Sequence, residues 1–169
     1  MTDSEDTPLW LFSLKFYSYQ EFRESLLAFQ DFSGANVNIV LYLLWLASHR
    51  RAISLNEVEK IISSTKSWNE EIVQPLRRIR QNLKKNVDGL FSEDTLLLRE
   101  KVKTLELEAE KIEQRTLFNA YEIQFLGSLG TEIEAIARAN LETYEQLLDA
   151  SFPKQHFECL IDRVSNGFH

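Results

Sequence analysis

Only one cysteine, Cys159, stands in 169 residues. A lone thiol cannot close an intramolecular disulfide, which excludes a disulfide-stapled scaffold. Glycine and proline are scarce, at five and three. The glycines are too few and too scattered for a GxGxxG turn, a P-loop or a GxSxG elbow. The three histidines, His49, His156 and His169, include no i, i+4 pair, and none follows an acidic residue by three. Helical zinc and di-iron sites need such spacings to set ligands on one face. No metal, no cofactor and no catalytic constellation is expected. Long apolar runs are missing too. The longest covers residues 39–47, nine in all, against the roughly 20 that a membrane span needs. The first ten residues are acidic and polar rather than basic and then apolar, so a signal peptide is not expected. The expected location is cytoplasmic, without a transmembrane segment.

What is present favours helix. Hydrophobic residues make up 44% of the chain, enough for a sizeable core at this length. Scarce breakers and many straight-chain side chains point the same way. Charge is shared unevenly. Residues 1–85 hold 11 basic and 10 acidic side chains, a net +1; residues 86–169 hold 8 and 16, a net −8. The acidic half repels polyanions, so nucleic acid is not an expected partner.

The spacing of apolar residues and caps predicts helices near 8–16, 19–32, 37–51, 55–64, 68–86, 93–126, 131–151 and 154–164. No strand alternation or hairpin turn is read. Thr7-Pro8 reads as an N-cap with proline in the first turn. Ser18-x-x-Glu21, Ser54-x-x-Glu57 and Ser67-x-x-Glu70 read as capping boxes. Gly34 is placed at a helix end, with Asn36 capping the next helix. Pro75 predicts a kink or restart near 73–75.

The expected fold is all-α, a bundle of six to eight helices. A central helix over "NIVLYLLWLA", apolar all round, implies neighbours on every side. A compact subdomain over 1–88 is expected to pack as one domain with a long antiparallel helical hairpin and tail over 89–169. The break "NVDGLF" at 86–91 marks the boundary. In the long helix Leu98, Val102, Leu105, Ala109, Ile112, Thr116, Asn119, Ile123 and Leu126 alternate four-three, the spacing of a coiled-coil seam.

Three groups of residues are candidates for function. Gln30, Asp31, Asn36, Asn38, Arg77 and Arg80 form a candidate polar clasp. Asp31 opposes a helix C-terminal dipole and so wants a cation, which is assigned as Arg77 or Arg80. Trp10, Phe12, Trp45 and Trp68 are candidate pocket aromatics, though aromatic clusters also fill cores. Arg77, Arg78, Lys84 and Lys85 in "PLRRIRQNLKK" form a candidate basic surface.

Three blocks, "WLFSL", "FQDFSGANVN…LWLA" and "PLRRIR", occur in that order. They resemble a proteobacterial family of small all-helical proteins, a domain of unknown function. Its pattern has W-x-F-S-L, Q-D-x-x-G-x-x-V-N, L-W-L-A and P-L-R-x-x-R. Asn36 stands where that pattern has aspartate, and Phe29 where it has leucine. The resemblance covers the first half and implies a helical bacterial protein, with no activity to carry over.

The leading functional expectation is a non-enzymatic interaction or adaptor protein. It would use the hairpin and the basic helix, through self-association or a protein partner along 93–151. The alternatives are a small-ligand or acyl-chain binder with an aromatic pocket, and an enzyme using Asp31 with Arg77 or Arg80.

Overall fold

A computed structural model describes residues 6–85 and 92–167. The expected break at 86–91 lies outside the described residues. The helices are α1 (Pro8–Tyr17), α2 (Gln20–Ser33), α3 (Val37–Ser48), α4 (Leu55–Trp68), α5 (Gln74–Asn82), α6 (Glu93–Ala120), α7 (Ile133–Glu145) and α8 (Lys154–Asn166). The all-α bundle is as expected.

Local sequence explains most boundaries. Thr7 Oγ1 accepts from the Trp10 N–H, and Pro8 opens α1. Gly34 ends α2 at φ +69°, a conformation costly for residues with a Cβ. The Asn36 side chain accepts from the Asn38 N–H and starts α3. Ser54 and Glu57 form the expected capping box on α4. The other two boxes do not form. Ser18 closes α1, its hydroxyl donating to Lys15 O, and Tyr19 precedes α2. Ser67 lies inside α4, where the chain simply remains helical.

The kink or restart expected near residues 73–75 falls at a π turn, after which α5 begins at Gln74. This turn, Asn69–Val73, joins α4 to α5 without a break. The Gln74 N–H donates to Asn69 O, five residues back. Pro75 has no N–H to give to the preceding turn, so one widened turn costs the rod little there. The structure therefore has one interrupted rod, Leu55 to Asn82, in place of two separate helices.

Helix α3 is the hub. Val37 through Ala47 are all buried, Asn38 among them. It packs against α7, α1, α2, α6 and α8. The expected α6–α7 hairpin needs correction. α6 lies along α5, α4 and α1, while α7 lies along α3 and α8. The long helix stops at Ala120, and a 3-10 turn (Ile123–Phe125) follows. A two-residue strand pair, Arg51–Ala52 with Ser128–Leu129, then turns the chain away. The buried face of α6 explains the difference. Val102, Glu106, Ala109, Glu113 and Leu117 point inward, at i, i+4, i+7, i+11 and i+15, the stripe of an ordinary packed helix. The seam residues Leu98, Leu105, Ile112, Thr116 and Asn119 are exposed.

Asn140 locks α7 to this hub. It is fully buried, accepts from the Ile53 N–H at 2.8 Å, and donates to Leu43 O and Arg51 O. Asn140→Leu keeps similar volume but strands the Ile53 N–H and takes a donor from the Leu43 and Arg51 carbonyls. We expect a loss of about 2–3 kcal/mol in urea unfolding; a change below about 0.5 kcal/mol would show that water replaces the amide.

Candidate functional site

The sequence turn 34–38, the π turn and the middle of α6 meet at one carboxylate. Glu113 is 0% exposed. Its Oε1 accepts from Asn36 Nδ2 at 2.6 Å, and its Oε2 from Asn38 Nδ2 at 2.7 Å and Asn69 Nδ2 at 3.2 Å. Each amide stands where a local cause puts it. Asn36 is the N-cap of α3, Asn38 sits in its first turn, and Asn69 opens the π turn. Gln114 extends the network, donating to Asn38 Oδ1 and accepting from the Ser13 hydroxyl. A buried carboxylate needs such donors, because desolvation is otherwise very costly.

A second set of ion pairs flanks it. Arg77 Nε donates to Glu106 Oε1 at 3.0 Å and Arg77 NH2 to Glu110 Oε1 at 2.7 Å. Arg80 grips Glu106 through Nε and NH2. Burial pushes the Glu110 carboxyl up to about 7; Arg77 pulls it down, and Glu106 pushes it up again. Burial likewise raises the neighbouring Tyr17 phenol, with Glu110 adding to the effect.

The predicted clasp is thus half assembled, around other partners. Asn36, Asn38, Arg77 and Arg80 all face α6 acids. Asp31 is exposed on α2 and accepts only a long 3.4 Å contact from Gln30. The Asp31–arginine pair does not form, because the acids of α6 hold both guanidinium groups. This also removes the geometry for an Asp31–arginine enzyme. The partners missed by sequence reasoning are Glu106, Glu110, Glu113 and Asn69. Glu106 and Glu113 do carry a signal. They share the helical stripe of Val102, Ala109 and Leu117, and an acid on an apolar stripe calls for buried donors.

The aromatic candidates do not converge. Trp10 lies beneath Lys111 Nζ, 5.8 Å from the ring centroid, and Trp68 Nε1 donates to Ala109 O. Trp45 stacks on Tyr42 and edges a hollow of about 410 Å³ with Phe118; Phe12 edges another, of about 340 Å³, with Ile133. The basic run also divides. Arg77 turns inward to α6, while Arg78, Lys84 and Lys85 stay exposed.

Two further open surfaces carry polar and charged side chains beside apolar ones. One is a cleft of about 380 Å³ between the α2–α3 turn, the α4–α5 rod and the end of α7. Gln30, Asn36, Asn69 and Arg77 lie on its wall. The other is the outer face of α6, where Leu98, Lys101, Leu105, Glu108 and Ile112 are all exposed. Leu105 is 51% exposed.

Curated proteins and solved structures contain no match to the chain. Residues 8–117, from the start of α1 to the Glu113 clasp and just beyond, match a family described as protein of unknown function (DUF2390). That stretch holds the clasp and the outer face of α6, and the chain belongs to this family.

Proposed function

We propose that this protein is a non-enzymatic interaction module of the cytoplasm, working as a two-fold pair of chains joined along the outer face of α6. The supporting observation is the order of that face. Leu98, Lys101, Leu105, Glu108 and Ile112 run along one side of the helix, all exposed. Rotated end for end about Leu105, the pattern matches its own complement. Leu105 meets Leu105, Leu98 meets Ile112, and Lys101 comes beside the partner's Glu108. A two-fold interface needs such self-complementarity, and the paired charges fix the antiparallel register. Large exposed apolar side chains in a row are also uncommon on an isolated chain.

The test is molar mass by light scattering. The wild type is expected at twice the 19.8 kDa chain mass, and Leu105→Glu at the single-chain value with its helical circular dichroism retained. Lys101→Glu sets like charges together and weakens the pair. Adding Glu108→Lys restores it, since opposite charges then face each other again with their signs exchanged. A wild type that stays single at about 100 μM, or a double variant no better than Lys101→Glu, overturns the reading.

A further inference from the structure

We infer that the cleft between the α2–α3 turn, the α4–α5 rod and α7 is a binding site for a small organic carboxylate, whose acid group is received by Tyr144 and Arg78 and whose apolar part lies against Ile62 and Leu148. This goes beyond the pairing of chains and does not depend on it.

The first ground is an unused donor. Tyr144 is 3% exposed and lines the cleft. Its oxygen accepts from the Asn36 N–H at 2.9 Å. The phenolic hydrogen has no acceptor among the described residues. Burial pushes this phenol up to about 12, with the Asn36 N–H pulling the other way, so it remains a donor at neutral pH. A buried hydroxyl that accepts one bond and lacks an acceptor of its own is suited to receive an oxygen from a ligand.

The second ground is the charge of the wall. Arg78 and Gln81 line the cleft, and their side chains have no hydrogen-bond partner among the described residues. Lys66 reaches only Glu70, at 3.9 Å, with both side chains exposed. Glu70 is the acid in the cleft lining, and the acids of α6 are already engaged. Glu113 is held by three amides, and Glu106 and Glu110 by two arginines. The free hydrogen-bonding capacity of the cleft is therefore mostly donor. Arg78, together with Lys66 and its weak partner Glu70, suits a single negative charge better than a multiply charged group.

The third ground is shape. About 380 Å³ falls within the range of small-molecule sites. Ile39, Ile62, Leu147 and Leu148 give the cleft apolar lining beside its donors. A π turn forms part of the wall, with Asn69 and Glu70 in the lining. Such turns inside helices are frequent at functional sites.

Hexanoate is the probe, followed by NMR of the 15N-labelled full chain, with hexylamine and inorganic phosphate as comparisons. Hexanoate is expected to give saturable shifts around Tyr144, Arg78 and Leu148, with a Kd on the order of 1 mM. Arg78→Gln is expected to weaken binding about tenfold. Tyr144→Phe is expected to do the same, with its fold checked by circular dichroism. Arg78→Gln carries the test alone if the phenylalanine variant unfolds. No saturation by about 20 mM overturns the inference, as does hexylamine or phosphate binding as well as hexanoate. So does hexanoate binding unchanged by Arg78→Gln.

Discussion

Glu113→Ala is expected to destabilise the fold by about 4 kcal/mol in urea unfolding. Three asparagine amides point at this carboxylate from α3, from the turn before it and from the π turn. Removing the acceptor leaves three donors without a partner in a site closed to water. Each costs roughly 1–3 kcal/mol, and breaking a buried charged cluster typically costs about 3–5 kcal/mol in all. Glu113→Gln separates charge from shape. Its one oxygen can still accept, but its NH2 faces an asparagine NH2, so an intermediate loss of about 2 kcal/mol is expected. Equal losses for both variants would assign the effect to charge. A loss below about 1 kcal/mol for the alanine variant would mean that water fills the site and that the clasp is not structural.

Stability is expected to fall as the pH rises from about 5 to about 7. Burial holds the Glu110 carboxyl at about 7 in the folded chain, above its ordinary 4.5, against the pull of Arg77 and with a push from Glu106. Between those values the folded state keeps a proton that the unfolded state has lost. Fewer protons on the unfolded state mean that stability declines with rising pH. The stabilisation from this group is complete below 4.5 and gone above about 7. At about 1.4 kcal/mol per pH unit, the full change is on the order of 3 kcal/mol. Glu110→Gln is expected to flatten the slope between pH 5 and 7, because the amide does not titrate. Below that range the slope reverses in part. Glu158 is held low by its hydrogen bonds to Arg138, and its contribution is lost as acid protonates it. Urea midpoints at half-unit steps from pH 5 to 8 decide the matter. An identical slope in Glu110→Gln would place the titration elsewhere.

The pH slope and the clasp arise from the same arrangement. Three acids of α6 lie on or beside its inward face, at 106, 110 and 113, and the rest of the molecule supplies their donors. Arg77 and Arg80 come from the rod beyond the π turn. Asn36 and Asn38 come from the start of α3. Neither set is adjacent to α6 in sequence; the smallest separation among these bonds is Arg80 to Glu106. The sequence marked Asp31 as needing a cation, because a carboxylate opposes the dipole at a helix C-terminus, and assigned it Arg77 or Arg80. In the folded molecule proximity is set by packing, and α2 turns Asp31 outward.

Elements governed by near neighbours were legible beforehand. The cap at Thr7, the glycine at 34, the Asn36 N-cap and the Ser54–Glu57 box involve residues at most a few positions apart. The all-apolar 39–47 run could only be a hub, and α3 is one. Two readings failed where two local patterns competed. Ser18-x-x-Glu21 has the residues of a capping box, but α1 runs on through Tyr17 and takes Ser18 as its end. In α6, a four-three seam and an ordinary helical stripe overlap at Val102 and Ala109. The seam counted the leucines, and the fold buried the stripe with its two acids instead.

The sequence by itself determined that this chain is all-α, where most of its helices begin, which helix lies at the centre, and that no disulfide closes within these 169 residues. Those outcomes depend on backbone propensity, side-chain caps and apolar spacing, all of which act within a turn or two. Tertiary structure alone decided that α6 runs beside α5 and not α7, that Glu113 holds the α3 asparagines, and that Leu98, Leu105 and Ile112 stay outside. The physical reason is that a helix with apolar residues on more than one side can be buried on either. The donors of α3 and the rod could satisfy acids only on the face carrying Glu106 and Glu113, and that requirement selected the face.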